Sequence, residues 1–447
     1  MIPQTSVLAE HLAGMVRIPT VSSKDPDEMD FSVFEQLHDY LEKTYPLVHK
    51  TFEKEIVGQA GLLYHWKSPR PSGKLPLLLA AHQDVVPAGD ATAWTHEPFS
   101  GAIADDCLWG RGSLDCKNQI MGHMEALEAL IAEGFRPDFD IYLAYGYNEE
   151  VSTTCAAPSA KLLVETLQKR GVRLGMVLDE GGSVVSGASM GVKGYIANIS
   201  VAEKGYADIE ISKTGKGGHS ARPGKKSIMV DVARAIVKIS EHPMPYRILP
   251  QIAQQYRLLA ELVPERRAIY EDIQAHQQEL FPMLDTDPGV AAKFQTTMAM
   301  TMAQGSYAPN VMPGKVSVTL NCRPLPGDTI ESLTNRLREL VCEEFGVEVT
   351  CLGGRDPSPV SDIDTPLFRN LQSVISSVYP DCVAVPSICL GGTDSYYYYP
   401  ICEHVYRFAG EFRIPQNGSA HAVNERIWLE HIDAVPKFFY TFLPTYG

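Results

Sequence analysis

The chain has 447 residues, 45% of them hydrophobic, and a formal net charge of −15, enough material for two or more domains with sizeable cores. The acidic balance argues against nucleic acid as a partner, because phosphate binding needs a basic face. No apolar run is long enough to span a bilayer, residues 1–15 lack a basic start followed by an apolar stretch, and the nine scattered cysteines form no CxxC pair; a cytoplasmic protein with reduced thiols and no membrane contact is expected. In chain order, Leu77–Ala81 reads as a buried strand. Residues 117–133 read as a helix, with Ile120, Met124, Leu127 and Ile131 at helical spacing and Gly134 as C-cap. "DIYLAYGY" (140–147) and "LGMVL" (174–178) read as further buried strands, and this βαβ rhythm predicts a largely parallel sheet covered by helices. After about residue 199 the texture changes. "ADIEIS" (207–212) alternates, "SIMVDVARAIVKIS" (227–240) is an amphipathic helix, and "KVSVTLNC" (315–322) alternates again. Residues 329–345 then form a helix with Ile330, Leu333, Leu337 and Leu340 inward, which completes a small α+β unit. The helix-rich, Gln-rich stretch 244–300 is expected to elaborate this second unit. The division expected is therefore 1–198 and 356–447 for an α/β domain, with 199–355 inserted between them.

Four apolar strands end in histidine or acid. His82 and Asp84 follow the first, Asp115 follows "LWGRGSL", Glu149 and Glu150 follow "DIYLAYGYN", and Asp179 follows "LGMVL". The carboxyl ends of strands in an open α/β sheet form the ligand crevice. Carboxylates crowded there repel one another unless a cation neutralises them, and imidazole with carboxylate suits zinc, with manganese or cobalt as substitutes. Asp84 lies two residues after His82, on the same side in extended geometry, so its carboxylate is expected to hold the far nitrogen of the ring. Single histidines such as His11, His38, His49 and His242 read as surface or core residues. "GASMG" (187–191) matches GxSxG, but the extended "YIANISV" follows where a nucleophile elbow needs a helix, so the match is read as chance.

"AHQDVVP", "W…PFSG", "GRGSLDCKN", "NEE", "DEGG", "GKGGHSARP", "NCRPLPGD", "GGTDS" and "SAHAVNERI" occur in the order found in the co-catalytic two-zinc exopeptidase and deacylase family, which the chain resembles over nearly its whole length. "W…PFSG", "LD.KN" and "H.VNE" are most similar to the carboxypeptidase S and N-acyl-amino-acid hydrolase branch. The resemblance implies a mostly parallel α/β catalytic domain with an inserted ferredoxin-like lid and dimerisation domain. It implies two divalent metal ions, with Asp115 bridging, His82 and Asp179 completing one site, and Glu150 and His421 the other. Glu149 is then the general base and Asp84 the partner of His82. The resemblance also implies that His219 reaches the reacting carbonyl from the other protomer of a homodimer. Arg323 would grip a substrate carboxylate, with Asn310 and Gly392 also at the substrate. The implied reaction is hydrolysis of an amide or peptide bond next to a free carboxylate, in a dipeptide or an N-acyl amino acid. Succinyl-diaminopimelate or acetylornithine deacylation is the alternative, and a non-enzymatic metal-dependent binder would have lost Glu149 or a ligand. Two positions depart from the family. Cys116 replaces a second acidic residue that often follows across a cis peptide, leaving the isomer open, and Tyr396 stands where relatives often carry arginine.

Overall fold

Leu77–His82 is buried along its whole length, as a strand covered on both faces must be. It runs parallel to Ile141–Gly146 on one side and to Met176–Asp179 on the other. The computed structural model, which describes all residues of the chain except 154, builds a ten-stranded sheet outward from this parallel centre. Antiparallel Gly61–Trp66 and Glu53–Val57 close one edge. Val405–Arg407, Tyr195–Glu203, Cys382–Cys389, Val184–Ser186 and Phe412–Arg413 extend the other, so the strands after 381 join the first sheet. Alternation sorts the two covering layers. Leu77, Leu79 and Ala81 join the core that holds the helices Lys117–Ala132 and Ala434–Phe442, while Leu78 and Ala80 join the one holding Ser159–Lys169.

The chain leaves this sheet at Lys204 and Gly205, five residues later than the expected boundary. Tyr206–Thr214 then opens a second, four-stranded antiparallel sheet with Thr297–Gln304, Lys315–Arg323 and Glu348–Arg355. The helices Ile228–Glu241 and Ile330–Phe345 share one apolar core with it through Ile209, Ile211, Val232, Ala235, Leu320 and Leu337. This is the expected lid unit. Ala188–Met190, inside "GASMG", is a single 3-10 turn followed by the strand Tyr195–Glu203, so no nucleophile elbow forms.

One expectation is corrected. The helices Pro250–Leu259, Arg267–Glu271, Gln277–Leu284 and Pro288–Ala291 belong to the core of the first domain and not to the lid. Ile252, Tyr256, Leu259, Tyr270 and Phe294 share that core with Ile196, Ile199, Val385 and Ile388. The physical reason is an apolar sheet face: Ile196 and Ile199 of Tyr195–Glu203 and Val385 and Ile388 of Cys382–Cys389 need cover, which these helices supply. Gln255 Nε2 donates to Asn198 Oδ1 at 3.0 Å, and Tyr270 to the main-chain oxygen of Met190 at 2.9 Å. The chain therefore passes between the domains four times.

Candidate metal centre

His82 ends its strand with the imidazole almost wholly buried. Its Nδ1 lies 2.9 Å from the main-chain oxygen of Asp84. A carbonyl only accepts, so Nδ1 donates its proton there and Nε2 is the nitrogen left to face the acidic groups. Nε2 stands 3.0 Å from Asp115 Oδ1 and 3.3 Å from Glu180 Oε1. The other oxygen of Asp115 is 3.2 Å from His421 Nε2, which is itself 2.9 Å from Glu150 Oε2. Asp115 thus offers one oxygen to each of two clusters: His82, Glu180 and the Cys116 thiol on one side, Glu150 and His421 on the other. The Asp115–Cys116 peptide is cis.

Two expectations about this site are corrected. Asp179 belongs to neither cluster. It is the last residue of its strand, and its Oδ2 accepts the N–H of Ser395 at 2.8 Å. Consecutive residues at a strand end point to opposite sides, so only one of Asp179 and Glu180 can face His82, and it is Glu180. The carboxylate of Asp84 does not hold the His82 ring either, standing 3.5 Å from Nδ1. It accepts the N–H groups of Glu149 and Glu150 at 3.0 and 3.1 Å, and so positions the loop that carries both glutamates.

The electrostatics call for a cation. Burial pushes the carboxyl of Glu180 up to about 7, with the Asp115 charge adding to the shift. Burial raises Glu149 and Glu150 as well. Against the same penalty, hydrogen bonds from His421 and His82 hold Asp115 well below the usual range. Bonds to Asp115 and Glu150 push His421 up to about 10. Among the described residues, buried Glu150 Oε1 has no hydrogen-bond partner. Imidazole nitrogens that face only carboxylate oxygens, beside a buried carboxylate oxygen with nothing to bind, are a donor set that fits divalent metal.

One supporting residue lies within "SAHAVNERI". Glu425 of "NERI" is fully buried, and its Oε1 accepts the N–H groups of Gly112, Leu114 and Asp115 at 3.0, 2.8 and 3.2 Å. Its Oε2 takes Arg111 Nη1 at 2.6 Å. A glutamate next to "HAVN" was the available signal; that it grips the bridging loop from about 310 residues away is a fact of tertiary structure.

The lid residues lie apart from the clusters. His219 is exposed on Gly218–His219, which pairs with Val311–Met312, so Asn310 stands beside it. His219 lines a groove of about 1140 Å³ whose walls include no residue of either cluster. Arg323 is half-buried at the end of its strand, its Cζ 4.8 Å from the Tyr206 ring centre. Gly392 lies against Arg355, where a Cβ would overlap Nη2. Of the "YYYY" run, only Tyr398 is fully buried.

Residues 78–445 match the family described as "Peptidase family M20/M25/M40". The chain is 31% identical over 445 residues, 97% of its length and 84% of the relative's, to "Probable carboxypeptidase S-like 2" of Dictyostelium discoideum. It is 30% identical, over 98% of its length and 88% of the relative's, to "N-fatty-acyl-amino acid synthase/hydrolase PM20D1" of Bos taurus. Its fold matches the crystal structure of an M20 family metallo-carboxypeptidase from Sulfolobus solfataricus with a TM-score of 0.71 at 19% identity, covering 99% of both chains.

Proposed function

Because this chain belongs to peptidase family M20/M25/M40, it is a metal-dependent hydrolase of amide bonds, and we propose that it cleaves dipeptides or N-acyl amino acids next to a free carboxylate. The observation that carries this reading is Asp115, whose two oxygens face two different imidazoles. His82, Asp115 and Glu180 would hold one divalent ion, and Asp115, Glu150 and His421 a second, zinc in both sites with cobalt or manganese as substitutes. The ions, when bound, would polarise the scissile carbonyl and make water acidic near neutral pH.

The remaining steps belong to side chains. Glu149 is the acidic residue of the loop that neither cluster claims, and Asp84 fixes its main chain. Its carboxylate takes the proton of the attacking water and returns it to the leaving nitrogen. Arg323 binds the α-carboxylate, and Gly392 shapes the wall beside it. His219 and Asn310 stabilise the oxyanion from the lid of a partner copy, which gives the exposed histidine a role its own chain leaves open. The edge strand Thr297–Gln304, with Met300 and Met302 exposed, supports such a homodimer. Free thiols at all nine cysteines support a cytoplasmic setting, and among the described residues no helix is long and apolar enough to cross a membrane. The test is release of free amino acid from panels of dipeptides and N-acyl amino acids by zinc-loaded protein. Hydrolysis of members of either panel is expected. Inertness toward both, with metal bound, would overturn the reading.

A further inference from the structure

The lid sheet meets the catalytic domain at one end, and that end carries two arginines in register. Ala207 pairs with Cys322, and Tyr206 with Arg355. Arg323, Tyr206 and Arg355 therefore form one row across three adjacent antiparallel strands. Residues aligned across a sheet project to the same face. The two arginine Cα atoms stand two strand spacings apart, about 10 Å, close enough for both long side chains to reach one small molecule.

Neither guanidinium is fully neutralised. Arg355 Nη2 donates to Glu203 Oε1 at 3.0 Å, but Glu203 Oε2 already takes Arg407 Nε at 3.1 Å and the N–H and hydroxyl of Thr393 at 2.9 and 3.0 Å. One buried carboxylate thus serves two cations. The Arg355 side chain is only 10% exposed; among the described residues its buried Nε and Nη1 meet no carboxylate or carbonyl acceptor, the Tyr397 hydroxyl being a neutral neighbour. It stacks 4.4 Å from the centre of Tyr396, with the Tyr397 ring at 6.0 Å. Arg323 donates Nε to Asn321 Oδ1 at 3.3 Å; the nearby Asp208 is engaged by the Tyr206 hydroxyl and by Asn321. Lys204 nearby is bonded to the oxygens of Ala292, Gln295 and Thr297, and burial, with Arg323 adding to it, lowers its ammonium to about 7. A half-paired buried arginine is costly unless an anion completes it.

The row is linked to the metal centre through Glu203, which holds both Arg355 and Thr393. Gly392, against which Arg355 Nη2 lies, is three residues from Ser395, whose N–H is held by Asp179, the neighbour of Glu180. We propose that Arg355 is a specificity-determining residue that binds a second carboxylate, so that the preferred substrates release an acidic amino acid. Arg323 takes the α-carboxylate and Arg355 the side-chain carboxylate. This rests on the amidohydrolase reading above and on the role given there to Arg323.

The test compares kcat/KM of zinc-loaded protein for N-acetylglutamate, N-acetylglutamine and N-acetylleucine. The parent protein is expected to favour glutamate over glutamine at least tenfold, less so at high salt. Arg355→Gln should bring that ratio towards one, chiefly through KM for the acidic substrate, and Arg355→Lys should restore part of it. Gly392→Ala, whose Cβ displaces the guanidinium without removing it, should lower the same ratio and serves if Arg355→Gln does not fold. Parent protein without a preference for glutamate, or Arg355→Gln lowering both substrates equally, would overturn the proposal while leaving the amidohydrolase reading intact. Inertness of the parent towards every N-acyl amino acid and dipeptide would overturn that reading, and this subsite with it.

Discussion

Asp179 and Glu180 are adjacent acids at the end of one strand, and the pleat gives them opposite tasks. Asp179 turns to the N–H of Ser395, while Glu180 turns to His82. Glu180→Gln is therefore expected to cost one equivalent of bound metal by elemental analysis. Asp179→Asn keeps an oxygen for Ser395 and should retain both equivalents; the reverse pattern would restore Asp179 as ligand. Glu149 is the comparable case in the turn that follows Ile141–Gly146. Glu149→Ala should lower kcat about 100-fold or more with metal content unchanged, and activity within a few-fold of the parent would require another base. His123 titrates apart from this chemistry. It is buried against Phe439, and burial lowers it to about 3. Its folded pKa lies below its unfolded value of about 6.5, so the unfolded chain binds the extra proton. The stability it contributes is full above pH 6.5 and is lost as pH falls from there towards 3, at up to about 1.4 kcal/mol per unit. Replacing it by phenylalanine should flatten the fall in Tm between pH 7 and 5, measured with chelator present so that metal loss does not contribute. An unchanged slope would show that other groups set it.

At the scale of elements, the helices between 250 and 291 decide how the domains are joined. Their apolar faces complete the core under Tyr195–Glu203 and Cys382–Cys389, and Lys204 ties their far end to the crossover. A helix read from its own period shows which face is apolar but not which sheet receives it. Ile252→Ala should cost about 2–5 kcal/mol, and the loss should appear in the catalytic sheet. Hydrogen exchange is expected to quicken in Cys382–Cys389, with Lys315–Arg323 in the lid unaffected. Faster exchange confined to the lid strands would place the insertion with the lid after all.

For the whole molecule, the role proposed for His219 requires a second copy, because its own chain holds this exposed histidine apart from both clusters. Two copies joined through the lid would each present His219 to the other's metal centre. Mixing Glu149→Ala with His219→Ala protein and allowing subunits to exchange should then restore activity, since one site of each mixed dimer carries both groups. No recovery after proven exchange would place His219 in cis or outside catalysis. In that arrangement the oxyanion contact from His219 would be worth about 3 kcal/mol.

What the sequence determined by itself was local and ordered along the chain. Apolar runs marked the strands, helical spacing marked 117–133 and 329–345, and acids and histidine at strand ends marked the crevice. Those signals survive without neighbours because burial on both faces of a parallel strand demands an unbroken apolar run, and because the carboxyl ends of such strands share one edge of the sheet. The tertiary structure decided every question of direction. It turned Glu180 rather than Asp179 towards His82, gave the Asp84 carboxylate to the Glu149–Glu150 main chain, laid the 250–291 helices on the catalytic sheet, and set Glu425 under the bridging loop. Each of these depends on which side of a strand or helix faces a partner distant in sequence. Residue order carries the period of an element, but the phase of that period against its neighbours is settled only when the surfaces pack.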